Sequence, residues 1–224
     1  SIKSGAFNNA TSLTSIIIPA DVTEIGGNSF NKTSLTSINI PAGVTAINFH
    51  TFNNATNLET VIFEADSQLE IIDQYAFRNA TALISIIIPA SVKTIGPYAF
   101  SESGLTSINI PEGVTSIGEN AFSSGGLTDI TVESSNTYYT AIDNVLFNKT
   151  GTILIQYPIG NTETTYKILA NVTIIGYNAF NGATSLETVT FEAGSQLDSI
   201  GHYAFQSATA LTSINIPEGV KSIG

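Results

Sequence analysis

The chain contains no cysteine, no methionine and no tryptophan. Without cysteine there is no disulfide, no thiolate nucleophile and no thiolate metal ligand. Such a chain tolerates an oxidising exterior, although its composition does not require one. Positive charge is scarce: 7 Lys and Arg stand against 18 Asp and Glu, a formal net charge of −11. Binding phosphate takes clustered cations, so nucleic acid is a poor partner and docking on anionic lipid is disfavoured. No apolar run reaches the roughly 18 residues that a membrane helix needs. The G-x-S-x-G elbow, the phosphate-binding glycine loop and the H-E-x-x-H zinc motif are all missing. Two histidines are present, His50 and His202, too far apart along the chain to share a site.

What is abundant is apolar residues, 42% of the chain, and they recur. Phe stands at positions 7, 30, 52, 77, 100 and 122, then at 180 and 205. Five residues before each Phe is an Ile, and three residues before that, from Ile25 onward, is Val or Leu. Upstream lies L-x-x-I-x-I or a close variant, as in Leu35/Ile38/Ile40 and Leu105/Ile108/Ile110. One unit reads L-x-x-I-x-I-P-x-x-V-x-x-I-G-x-x-A-F and holds too many apolar positions for one short element. Two short strands per unit fit, with the apolar side buried only when units stack. The expected fold is therefore a right-handed solenoid, mainly β, with about nine to ten turns and stability passed between neighbouring units. A helical solenoid is argued against by the Ile/Val/Thr strands and by the Pro in most units.

Details within the unit carry further expectations. The residue after the second Ile is Gly26, Asn48, Asp73, Gly96, Gly118, Gly176, Gly201 or Gly224, with Lys3 in the first unit. Gly, Asn and Asp tolerate positive φ, so a left-handed turn is expected there, followed by a short helical turn up to the Phe. Pro19, Pro41, Pro89, Pro111 and Pro217 close the first strand, because proline has no ladder donor. Two units carry Glu64 or Glu192 in that place and are two residues longer there, which reads as a rebuilt turn or bulge. Residues 52–96 match residues 180–224 at a constant offset of 128. Between them, residues 133–170 break the rhythm and read as a hairpin-like island within one solenoid spanning 1–224. The first and last residues fall inside units, so the sequence reads as a fragment cut from a longer protein.

The stretches "SLTSINIPAGVTAI", "TIGPYAF" and "SIGENAF", with the island "YTAIDNVLFNKTGTILIQYP", resemble the BspA-like, or Treponema-type, leucine-rich repeat family. The resemblance covers essentially the whole chain. It implies a leucine-rich-repeat solenoid and a non-enzymatic cell-surface or secreted module for adhesion and protein binding. The implied partner is a host matrix or cell-surface protein. The family often places Cys in the loop after A-F; here Ala10, Ala55, Ala80, Ala183 and Ala208 stand there, so nothing based on a Cys ladder carries over.

Candidate binding residues come from departures within the repeat. Outward positions of the first strand are mostly Ser, Thr and Asn, but Ile17, Ile62, Ile84 and Ile87 are not. Ile62, Ile84 and Ile87 fall on consecutive units and are expected to touch, with Thr60 and Ser85 at the polar margin. Strand propensity accounts for them as readily as a contact patch does. His50, Tyr75 and Tyr98 form a second row, expected at exposed positions, which suits mutual stacking or the grip of a glycan or peptide. No catalytic residue, cofactor or metal site is expected. The alternatives to an adhesive module are a structural spacer displaying another domain, or a carbohydrate-active enzyme or glycan binder. The N-x-T sequons at Asn9, Asn31, Asn54, Asn79, Asn148 and Asn171 are mostly by-products of the repeat.

Overall fold

A computed structural model describes residues 1–123 and 125–224. The chain winds as a right-handed leucine-rich-repeat solenoid of about eight turns, fewer than the repeat count suggested. The first and last units are incomplete, and the island spends its length on an antiparallel excursion.

Most turns lay down two short strands, and within each sheet equivalent strands of successive turns bond in parallel. The first-strand row comprises β1 (Ser37–Ile40), β3 (Thr60–Phe63), β6 (Ser107–Ile110), β8 (Asp129–Val132), β12 (Thr165–Ile168), β14 (Thr188–Phe191) and β16 (Ser213–Ile214). The second-strand row comprises β2 (Ala46–Ile47), β4 (Ile71–Ile72), β5 (Thr94–Ile95), β7 (Ser116–Ile117), β11 (Ile153–Gln156), β13 (Ile174–Ile175), β15 (Ser199–Ile200) and β17 (Ser222–Ile223). The island adds β9 (Tyr139–Ile142) and β10 (Val145–Asn148). Alternation sets the core: in β1, Ile38 and Ile40 point in while Ser37 and Asn39 point out. Leu35, Ile38, Ile40, Val44, Ile47 and Phe52 of one unit are all buried, each worth about 1.5–3 kcal/mol before entropy. The Phe rings stack along the axis, from Phe7 on Phe30 at 5.4 Å between centroids to Phe100 on Phe122 at 5.9 Å. Burial of the repeat positions fails in the last turn, where Ile216 and Ile223 are exposed.

Two local expectations are corrected. Among the described residues there is no helix. Between Gly26 and Thr33 the amides alternate in their partners. Ser29, Asn31 and Thr33 donate three residues back within the turn, while Asn28, Phe30 and Lys32 donate across to Phe49, Thr51 and Asn53 of the next turn. With every second amide committed to the neighbour, the i→i−4 ladder of an α-helix cannot form. The left-handed residues are also not those at the Gly slot. They lie two before and two after the Phe: Asn28, His50, Tyr75, Tyr98, Asn120, Asn178 and Tyr203 before, and Lys32, Asn54, Asn79, Glu102 and Ser207 after. None of these is β-branched, as the steric cost of that region requires.

Glycine at its slot answers close approach instead. A Cβ on Gly118 would lie 2.3 Å from the Pro97 backbone nitrogen, and one on Gly26 would lie 2.4 Å from that of Ser4. Where the slot carries a side chain, that side chain bonds at once: Asn48 Nδ2 donates to Ile25 O at 2.8 Å, and Asp73 Oδ1 accepts from Gln74 N at 2.7 Å.

In the island β10 pairs antiparallel with both β9 and β11. Asp143 and Asn144, both at positive φ, make the two-residue turn between β9 and β10. Buried Asn136 anchors the island: Nδ2 donates to Pro111 O and Val114 O, and Oδ1 accepts from Tyr138 N and Tyr139 N. The Lys149 ammonium donates to the Asn136 carbonyl. Leu146 packs into the core on one side of β10, Val145 and Phe147 into the core on the other, as strand alternation dictates. The hydrophobic core is thus divided at this strand.

Candidate functional site

The first-strand row is interrupted. β1 bonds to β3 and β6 bonds to β8, but residues 84–88 between them belong to no strand. Among the described residues the amides of Ser85, Ile86, Ile87 and Ile88 bond to no backbone carbonyl. The unit before this stretch is one of the two long ones. Its rebuilt turn leans back on the turn before it: Glu64 N donates to Ile40 O at 3.1 Å, Gln68 N donates to Ala42 O at 2.9 Å, and Ala42 N donates to Glu64 Oε2 at 3.3 Å. The next unit passes through Pro89 without the two extra residues. A groove of about 440 Å³ opens, lined by Ile62, Phe63, Glu64, Asp66, Ile87 and Pro89, among others. Phe63 is only half-buried there because no neighbouring strand closes over it.

Three of the expected residues change standing in this geometry. Ile62, 49% exposed, and Ile87, 88% exposed, line the same groove. Ile84, 60% exposed, stands on the same strand stretch but is not part of the groove wall. Thr60 and Ser85 are exposed beside it. Glu64 and Asp66 make no ion pair among the described residues, so the rim carries uncompensated negative charge.

The second row is a stack. The His50 and Tyr75 ring centroids lie 4.8 Å apart and those of Tyr75 and Tyr98 5.2 Å apart. Against expectation all three are half-buried, each covered in part by its neighbours in the row. Sequence reasoning missed Phe49, whose ring covers His50 at 3.9 Å while remaining 40% exposed. Its signal was a Phe in a slot that Gly27, Gln74 and Pro97 fill in other units. Arg78 lies over the Tyr75 ring at 5.6 Å and pairs with Glu102 at 3.2 Å. Partial burial, and to a lesser degree the Arg78 charge, hold the His50 imidazole below its ordinary pKa.

Among the described residues no three His, Asp or Glu side chains gather where a metal ion would sit, and no helix is long and apolar enough to cross a membrane. Several sequon asparagines are already occupied as donors: Asn31 Nδ2 bonds Asn8 Oδ1 and Asn79 Nδ2 bonds Asn54 Oδ1.

Six copies of the BspA type leucine-rich repeat region match the sequence over residues 1–69, 62–167 and 160–224. The chain belongs to that family. Solved structures share its winding. The pneumococcal vaccine antigen PcpA is 25% identical with a TM-score of 0.78, over 98% of this chain and 64% of that one. A leucine-rich cell surface protein from Faecalibacterium prausnitzii is 26% identical with a TM-score of 0.61, over 99% of this chain and 66% of that one. The leucine-rich repeat protein of T. pallidum, at 18% identity and a TM-score of 0.54 over 90% of this chain and 79% of that one, shares the fold. This BspA-type chain spans less than two thirds of the first two solved chains. No curated protein matches it.

Proposed function

We propose that this BspA-type solenoid is a non-enzymatic protein-binding module, displayed on a cell surface or secreted, that mediates adhesion. The supporting observation is the exposed Ile62, Ile84 and Ile87, grouped on neighbouring turns of a strand face built mostly of Ser, Thr and Asn, whereas exposed Ile17 stands apart from them. Hydrated, interchangeable side chains give little discrimination, whereas a few apolar anchors dominate most interfaces. Thr60 and Ser85 form the polar margin. Its family and the surface-protein descriptions of its structural relatives agree with such a role. The test is retention of beads coated with the chain on a panel of purified matrix proteins and on cell surfaces. Ile87→Asp should strongly weaken retention without lowering the melting temperature, because the side chain points to solvent. A chain retained by nothing is a structural spacer.

The aromatic row supports a second reading, a glycan grip by Phe49, Tyr75 and Tyr98, since sugars pack on aromatic faces. Retention that survives Ile87→Asp but is lost with Tyr98→Ala, or after glycosidase treatment of the target, selects it.

A further inference from the structure

The groove beside β3 has a twin. Offset by 128 residues, Thr190, Phe191, Glu192, Gly194, Ser195, Asn215 and Pro217 line an opening of about 510 Å³. The same backbone device makes it: Glu192 N donates to Ile168 O, Gln196 N donates to Ala170 O, and Ala170 N donates to Glu192 Oε2, each at 2.9 Å. The two grooves differ in what they present. Thr190, Asn215 and Gly194 stand where the first groove has Ile62, Ile87 and Asp66. The twin is also partly closed, because Thr188 pairs with Ser213 and Val189 with Ile214, whereas β3 has no strand partner on that side. Asp66 sits at φ 59 where the twin has glycine at φ 78, so a charged residue holds a backbone position that glycine fills at lower cost. The backward-leaning turn is therefore shared by both long units, while the two Ile, the Asp and the unpaired stretch belong to the first groove alone.

Resting on the protein-binding reading, we propose that this groove takes an extended segment of a protein partner that carries a branched apolar side chain next to Lys or Arg. The apolar side chain lies between Ile62 and Ile87. The backbone of the segment lies along the groove beside the Ile87 amide, which bonds to no backbone carbonyl among the described residues. The cation meets Glu64 and Asp66, which have no ion-pair partner among the described residues. A second copy of this chain is a poor occupant: its net charge is −11, and four of its seven cations, Lys3, Arg78, Lys93 and Lys221, are already paired.

The experiment pans a phage-displayed random peptide library on the whole chain and measures the enriched peptides as synthetic probes. The comparison protein carries I62T, D66G and I87N, the residues of the twin groove. Enriched sequences should join Ile, Val or Leu with Lys or Arg, and their binding should weaken with salt. Affinity for the triple variant should fall on the order of tenfold or more. Amide NMR shifts should cluster at residues 60–67 and 85–91, and be absent at 188–195. I87N alone, at a solvent-facing site, repeats the test should the triple variant not fold. No enrichment, enriched peptides without cations, or equal binding to the variant overturns the proposal. If a matrix protein or cell surface retains the chain and the triple variant alike, this groove assignment fails while the binding-module reading stands. Retention by nothing removes that reading too.

Discussion

Tyr157 stacks on Phe180 with ring centroids 5.1 Å apart, and its amide donates to Ala179 O at 2.8 Å, the bond that Phe77 makes to Ala99. A tyrosine from the island thus fills the Phe slot of the repeat. Its hydroxyl is buried with no hydrogen-bond partner among the described residues. Burial, with a smaller effect of Glu163, pushes its pKa up to about 12.

Tyr157→Phe should restore the repeat residue and remove a buried unpartnered hydroxyl, raising stability by about 1 kcal/mol. The pH dependence has a definite sign. A folded pKa above the unfolded value means that the contribution is whole below pH 10 and is lost as pH rises towards about 12. Denaturant melts of the parent and the variant at neutral and alkaline pH check this: the parent should lose more stability on the alkaline side. What loss remains in the variant belongs to Tyr166 and Tyr139, whose pKa values burial also raises.

Phe100→Ala removes a fully buried ring held between Phe77 and Phe122. Turns on both sides fix the cavity walls, so the cost should be about 3–5 kcal/mol. Amide exchange should accelerate first in the turns carrying Phe77, Phe100 and Phe122. A uniform change along the chain would contradict neighbour-to-neighbour coupling.

Gly118→Ala and Gly125→Ala form a pair. The first puts a Cβ 2.3 Å from a backbone nitrogen, while the second meets nothing within 4 Å. Gly118→Ala should lower the melting temperature by several degrees and Gly125→Ala should leave it within about one degree.

His50 should titrate below its ordinary value of 6.5. Its folded-state pKa is depressed, so the stability tied to the neutral imidazole is present above the unfolded value and is lost as pH falls through the folded one. Arg78→Gln should move the titration back towards 6.5 in NMR without restoring it fully, since burial is the larger cause. His50→Asn, a residue suited to the left-handed backbone there, should remove the dependence with little change at neutral pH.

The sequence by itself determined the winding, because apolar positions recurring at fixed intervals have one economical solution: stack the units and bury that side. Leu35, Ile38, Val44, Ile47 and Phe52 were legible as core for that reason, and Ile62 and Ile87 were legible as departures. Other features depend on what a neighbouring turn does, which no single unit encodes. Gly118 is required by the Pro97 backbone beside it, not by its own φ. Tyr98 is left-handed because alternate amides in its segment are claimed by the next turn. Tyr157 joins the ring stack only because the island returns it to the axis. Ile62 and Ile87 share a groove and Ile84 does not, because the stretch at residues 84–88 forms no strand beside β3. Contacts between turns link residues some two dozen positions apart, and their geometry is set by packing and hydrogen-bond competition that spacing alone does not specify.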